Sequence, residues 1–201
     1  TLPLEAHGGG ILTAHRDAQQ AAVSVVLRPG ARGAELLLIK RATVAGDPWS
    51  GHMAFPGGKR EPPDLHLLAT AIRETREETA LGLPGAPPGW MGRLSAVSPR
   101  GAKRGASGTP LPPILVTPFL FAVPAGSRAV PAAPAEVERV HWVPLADLSD
   151  PTSEGVYRMR VGAAVRSFPS IDVGGEQVWG LTWRGVDELL RRLGLREGRE
   201  P

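Results

Sequence analysis

Two short apolar runs, residues 21–28 (AAVSVVLR) and 35–41 (ELLLIKR), flank the turn-forming stretch PGARG. Runs of this length separated by Gly and Pro predict a β-hairpin. The next stretch, TVAGDPWSGHMAFPGGKREPP, is rich enough in Gly and Pro to predict a long structured loop, with at most a short strand around residues 52–55. From Asp64 to about Ala80 the pattern becomes helical. Asp64, after a Pro pair, is the expected N-cap; Leu65, Leu68 and Ile72 recur on one face, and Glu74, Glu77 and Glu78 fall on the opposite one, away from the core. LGLPGAPPG ends this helix. Further strands are expected at 90–97, 114–123 and 137–143, and helices at 145–150 and 182–193. Strands and helices mixed without strict alternation indicate an α/β (α+β) chain, either α+β or a sandwich around a mixed sheet.

A chain of 201 residues suits one domain with a real core, here expected over 21–194, between an extension at 1–20 and a tail at 195–201. With no cysteine, disulfides, thiolate metal sites and a Cys nucleophile are excluded. A net charge of +3 is too small to indicate a nucleic-acid partner, and Arg191, Arg192, Arg196 and Arg199 read as a solvated helix end and tail. No apolar run reaches the roughly 20 residues that span a bilayer. TLPLEAHGGG has neither a basic start nor an apolar stretch, so the expected location is the cytoplasm.

The candidate chemistry lies in RETREE, residues 73–78, which places three acids within one and a half helical turns. Like charges one turn apart cost a helix a few tenths of a kcal/mol each. One reading is a solvated face with an Arg73–Glu77 surface pair; the other is a set of carboxylates converging on a hard divalent cation such as Mg²⁺. Immediately upstream, FPGGK offers paired glycines that let the main chain approach a metal or a phosphate closely.

Together, GGKREPPDLHLLATAIRETREETAL resembles the Nudix box, G-x5-E-x7-R-E-U-x-E-E-x-G-U with U apolar. Arg73-Glu74 and Glu77-Glu78 match. Asp64 replaces the first Glu, one extra residue separates it from Arg73, Thr75 is not apolar, and Ala80 stands where Gly is usual. The Asp with longer spacing after FPGGK resembles the coenzyme A pyrophosphatase branch of the Nudix hydrolases. So does the upstream stretch, where Leu37, Leu38, Arg41, Ala42 and Gly51 fit that branch's signature; Ile39 replaces a Thr, and Gly46 sits near the place of a second Arg.

The resemblance implies a Nudix-type α/β/α sandwich and Mg²⁺-dependent hydrolysis of a diphosphate, with Mn²⁺ as a substitute. It makes Glu74 and Glu78 the principal metal ligands, Glu77 an accessory one and the Gly58 carbonyl a further one. Arg73 would orient Glu77 or Glu74, and the general base would be Glu74 or Glu136, with Glu138 behind. Arg41, Lys59 and the basic loop residues Arg100, Lys103 and Arg104 are the substrate-binding candidates, the last three for a 3′-phosphate. Trp49 or Trp183 would stack on adenine or pack in the core, and His52, His66 and His141 receive no chemistry. The expected partner is a small-molecule nucleotide, with neither membrane nor nucleic acid, and a second copy of the chain as a candidate. Coenzyme A competes with other nucleotides as substrate, and a non-catalytic nucleotide- or RNA-binding module is the reading from another class.

Overall fold

The computed structural model describes residues 19–44, 50–98, 113–161 and 164–197. Strands β1 (Gln19–Gly30) and β2 (Gly33–Arg41) form the expected antiparallel hairpin, with Leu27 opposite Leu36 and Gly30 opposite Gly33. Gly33 takes a φ of 99°, which an L side chain would strain. After β3 (Met53–Ala54) and β4 (Gly57–Lys59) comes helix α1 (Leu67–Thr79), then β5 (Trp90–Arg93), β6 (Ile114–Ala122) and β7 (Val137–Pro144). A five-residue helix α2 (Leu145–Ser149) leads to β8 (Glu154–Val161), β9 (Ala164–Val173), β10 (Glu176–Trp179) and α3 (Gly180–Arg192).

Strands β1 to β7 make one mixed sheet in the order β3-β2-β1-β6-β5, with β4 also on β1 and β7 on β2. Only the β1–β6 pairing is parallel among the paired strands of the described residues. Because successive strand residues face opposite sides, β1 and β2 supply two cores at once. Val25, Leu36 and Leu38 pack with Ile171, Val178, Val186, Leu189 and Leu190 on one face, and Ala22, Val26 and Leu37 pack with Ala71, Phe119 and Phe121 on the other. Helix α1 therefore covers one face, while α3 and the antiparallel sheet β10-β9-β8 cover the second.

The helix and loop expectations need correction. Asp64 is not the N-cap; His66 is, its Nδ1 accepting the Ala69 N–H at 3.0 Å. Leu65 lies before the helix and is 87% exposed, while the buried face carries Thr70, Ala71, Thr75, Glu78 and Thr79. Glu78 thus points inward, contrary to an all-solvent acidic face. The paired glycines are not in a loop but in β4, opposite Val23 and Ala22 of β1. Strand β5 stops at Arg93, with Val97 making only an isolated bridge to Val116. The pattern also missed the β8–β9 hairpin entirely.

Two departures from the family pattern have a visible local cause. Thr75 sits where an apolar residue is usual, and its Oγ1 lies 2.7 Å from both the Ser24 Oγ of β1 and the Ala71 carbonyl. The buried hydroxyls of Thr75 and Ser24 therefore satisfy each other. Ala80, in place of Gly, ends α1 in the left-handed region at φ 55°, and its N–H donates to the Arg76 carbonyl.

Candidate active site

Four parts of the chain meet at this site. Strand β4 brings Gly57 and Gly58, the end of β2 brings Arg41, α1 brings Arg73, Glu74, Glu77 and Glu78, and the segment before β7 brings Glu136. That last segment is fixed at both ends. Val130 and Ala132 donate to the Thr79 and Glu78 carbonyls at 2.9 and 3.0 Å, and Ala42 donates to the Glu136 carbonyl at 2.8 Å. Tethered to the end of α1 and the end of β2, Glu136 comes close enough to act electrostatically on both Glu74 and Glu78.

Glu78 is only 4% exposed, and its Oε2 accepts the Gly57 N–H at 2.8 Å. Burial pushes its carboxyl up to about 8, since taking a carboxylate out of water disfavours the charged form. The Gly57 hydrogen bond opposes this, the Glu74 and Glu136 charges add to it, and the Arg41 charge relieves it. Glu74 is also raised, by burial first; Arg73, at 3.1 Å from its Oε1, moderates the rise, and Glu77 and Glu136 add to it. A Cβ on Gly58 would overlap the Glu74 carboxylate, standing 2.6 Å from its Cδ. A side chain at position 58 would therefore push the Glu74 carboxylate from its place.

Arg73 is held by more partners than a surface ion pair would supply. Its Nε and Nη2 both donate to Asp64 at 3.0 Å, Nη2 also reaches the Lys59 carbonyl at 3.2 Å, and Nη1 donates to Glu77 at 2.9 Å. Asp64 is itself buried and accepts further bonds from the Glu61 N–H and the Thr70 hydroxyl, both 3.0 Å. Hydrogen bonds from Arg73 hold the Asp64 carboxyl well below the ordinary range, and the same contacts raise the Arg73 guanidinium. Asp64 is therefore the footing of Arg73, and Arg73 in turn positions Glu74. Sequence reasoning missed this role, along with Thr70 and with Arg60, which ties the turn together through the Asp64 and Leu65 carbonyls.

The donor set fits a hard divalent cation: carboxylate oxygens brought together at partial cost to themselves, beside a glycine strand whose backbone has no Cβ in the way. Among the described residues no three acids or histidines form a closed ligand cluster. A cation here would be held by one or two carboxylates and complete its coordination with water or phosphate oxygens, the usual manner of Mg²⁺.

Of the other candidates, Glu77 is half exposed and paired with Arg73. Glu138 is engaged by Lys40 at 3.4 Å and Arg139 at 3.3 Å. Lys59 is exposed at the end of β4. Trp183 packs, partly buried, against the core. Gly46, Trp49, Arg100, Lys103 and Arg104 lie outside the described residues. No helix among the described residues is long and apolar enough to cross a membrane.

With this geometry in place, comparison with known proteins gives the family. The model for the NUDIX domain matches residues 18–160, well over half of the chain. The chain belongs to the Nudix family. It is 32% identical over 111 residues to NudL of Photorhabdus laumondii, a Nudix hydrolase of uncharacterised activity, covering 55% of this chain and 52% of that one. It is also 32% identical over 134 residues to the human mitochondrial coenzyme A diphosphatase NUDT8, covering 66% of this chain and 51% of that one. The chain thus spans about half the length of these curated relatives. The Nudix fold is seen again in the NUDIX domain of Shewanella oneidensis NrtR, solved in complex with ADP ribose. That match has a TM-score of 0.50 and 23% identity, and covers 67% of this chain and 78% of that one.

Proposed function

We propose that this Nudix protein is a Mg²⁺-dependent pyrophosphatase that hydrolyses the diphosphate bond of coenzyme A or its derivatives, releasing 3′,5′-ADP and 4′-phosphopantetheine or its acyl form. The observation that carries the reading is Glu78, a carboxylate buried against the Gly57 N–H with Glu74 and Glu136 close by. The Gly57 N–H and the Arg41 charge compensate this arrangement only in part, and a shared cation would offset the remaining cost. Glu74 and Glu78 would hold the metal, with the Gly58 carbonyl and Glu77 as further donors, and Mn²⁺ would substitute. When bound, the ion neutralises phosphoryl oxygens and lowers the pKa of a bound water by several units. Arg73, braced by Asp64, keeps Glu74 in place. Glu136 or Glu74 takes the proton of the attacking water as the phosphorus–oxygen bond breaks. Arg41, whose charge reaches Glu78, and Lys59 would meet substrate phosphates. Coenzyme A is favoured as substrate by the Asp64 spacing, by FPGGK and by the likeness to a coenzyme A diphosphatase.

A second reading rests on Gly46, which stands where the branch signature has an Arg and favours a different nucleotide. The test is incubation with CoA, ADP-ribose, NADH, dinucleoside polyphosphates and nucleoside triphosphates in Mg²⁺, with products resolved by mass. Cleavage of CoA at the highest kcat/KM supports the first reading. Cleavage of another nucleotide with CoA intact supports the second, and no cleavage of any of them supports a non-catalytic binding module.

A further inference from the structure

Beyond its base, the β8–β9 hairpin contributes nothing to the core. Among the described side chains of β8, β9 and β10 the buried ones are Ser170, Ile171, Val178 and Trp179, all at the end next to the main body. Farther out, Tyr157, Met159 and Phe168 on one face are half-buried, and the other face is exposed, with Val156 and Val165 at 59% and 61%. A two-stranded ribbon that buries so little is not explained by stability.

Its charge is one-sided. Between Gly155 and Ile171 the sequence has three arginines, Arg158, Arg160 and Arg166, and no acid. Among the described residues none of the three makes an ion pair, whereas Glu154 at the base is paired with Arg196. The register places Arg166 opposite Met159 and Phe168 opposite Tyr157, so these four share one face, while Arg158 and Arg160 lie on the other. From Tyr157 to Val161 the ribbon runs four residues, on the order of 13 Å.

The hairpin is joined to the catalytic segment at Tyr157. The Tyr157 hydroxyl lies 3.2 Å from His52 Nε2, Tyr157 stacks on Trp179 with centroids 4.3 Å apart, and His52 meets Trp179 edge-on at 4.8 Å. The His52 carbonyl accepts the Arg41 N–H at 3.0 Å, and the chain runs on through β3 to Gly57 and Gly58. Tyr157 thus ties the base of the hairpin, through His52, to the segment that leads into Gly57 and Gly58.

We propose that the β8–β9 hairpin is an anion-binding arm, with Arg166 on the Tyr157 face as the main contact and Arg158 and Arg160 adding field. It would take a phosphate monoester that the nucleotide substrate carries away from the diphosphate being cleaved. The proposal rests on the nucleotide reading of the site. A guanidinium fork suits phosphate, and one on the Tyr157 face with two more charges behind it matches a single doubly charged group better than the longer basic track that nucleic acid requires.

The test uses adenosine 3′,5′-bisphosphate and AMP as probes, titrated calorimetrically into the metal-free protein, so that binding is read without hydrolysis. The wild type is compared with R166Q, with the triple variant R158Q/R160Q/R166Q, and with R100Q/K103Q/R104Q. All three hairpin arginines are exposed, and an unchanged Tm checks folding. The bisphosphate is expected to bind at least tenfold tighter than AMP, a preference that falls below threefold in the triple variant and partly in R166Q. The KM for CoA should rise in parallel while kcat holds. A preference absent from the wild type, kept by the triple variant, or removed only by R100Q/K103Q/R104Q would overturn the proposal. Salt-sensitive binding of single-stranded RNA that the triple variant loses, with nucleotide binding intact, would overturn it in favour of nucleic acid. If the preference behaves as expected but CoA is not cleaved, the arm stands and the hydrolytic reading falls.

Discussion

Replacing Asp64 with asparagine keeps the shape of a buried group and removes its charge. In the wild type, Asp64 Oδ1 accepts from Arg73 Nε, and Oδ2 accepts from Arg73 Nη2, the Glu61 N–H and the Thr70 hydroxyl, all at 3.0 Å. Asparagine has one acceptor oxygen, so its NH₂ must face either the Arg73 Nε or the trio at Oδ2. In either orientation, donors meet donors. Losing a charge-assisted bond and leaving a partly buried guanidinium short of its partner costs about 2–4 kcal/mol together. The assay is urea unfolding of wild type and Asp64→Asn across pH. The Asp64 carboxyl is held below its ordinary value of 3.8, so its contribution is complete above that value and is lost as pH falls below it. The difference between the two proteins should be constant from pH 8 to about 5 and shrink below about pH 4. Because Arg73 also grips Glu74, kcat should fall about 10- to 100-fold, the usual cost of losing a group that orients a metal ligand. A difference below about 0.5 kcal/mol, or one that grows on acidification, would refute the argument that Asp64 is the charged footing of Arg73.

Glu78 has the opposite sign. Its carboxyl is raised from 4.5 to about 8, so metal-free protein should be most stable below pH 4.5 with respect to this group and lose that stability as pH rises to about 8. Glu78→Gln should flatten this dependence and abolish thermal stabilisation by Mg²⁺, as followed by melting curves with and without the ion. Ala80→Gly should stabilise by roughly 0.5–1 kcal/mol in denaturant unfolding, because the left-handed φ of 55° strains alanine more than glycine loses in chain entropy. Gly58→Ala should leave a folded protein, by circular dichroism, with kcat down about 100-fold, since a Cβ there displaces the Glu74 carboxylate.

The sequence pattern exposed much of the fold because β1, β2, β6 and β7 are apolar runs bounded by turn residues, and α3 has a strong amphipathic period. The β8–β9 hairpin escaped because its inner face is only half-buried and its apolar residues are few and interrupted by Arg158, Arg160 and Arg166, so no continuous apolar run marks it. The spacing of Glu74, Glu77 and Glu78 left a solvated face and a shared cation both open until the resemblance to the Nudix box favoured the second, and neither reading held the burial of Glu78. Glu78 turns inward because Gly57, twenty-one residues earlier, offers it an N–H. Asp64 and His66 are both capable caps, and the choice between them is made by Arg73, which takes Asp64 for itself. Glu136 was a general-base candidate through the family resemblance alone. Its place at the site depends on backbone bonds to Glu78, Thr79 and Ala42 that no local pattern records.

The parallel pairing of β1 with β6 sets how the candidate site is assembled during folding. Gln19 lies opposite Ile114, so this ladder closes a loop of about 95 residues, and every element of the site except Glu136 lies inside that loop. The β1–β2 hairpin and α1 can form from nearby residues within microseconds, but the long closure is slow and gains its enthalpy only when complete. Ser24, which bonds Thr75 of α1, and Val23, which backs Gly57, sit on the strand that makes this late contact. Metal affinity should therefore emerge in the same slow phase as the native sheet, and a Mg²⁺-binding signal recorded during refolding would report closure of the sheet rather than formation of the helix.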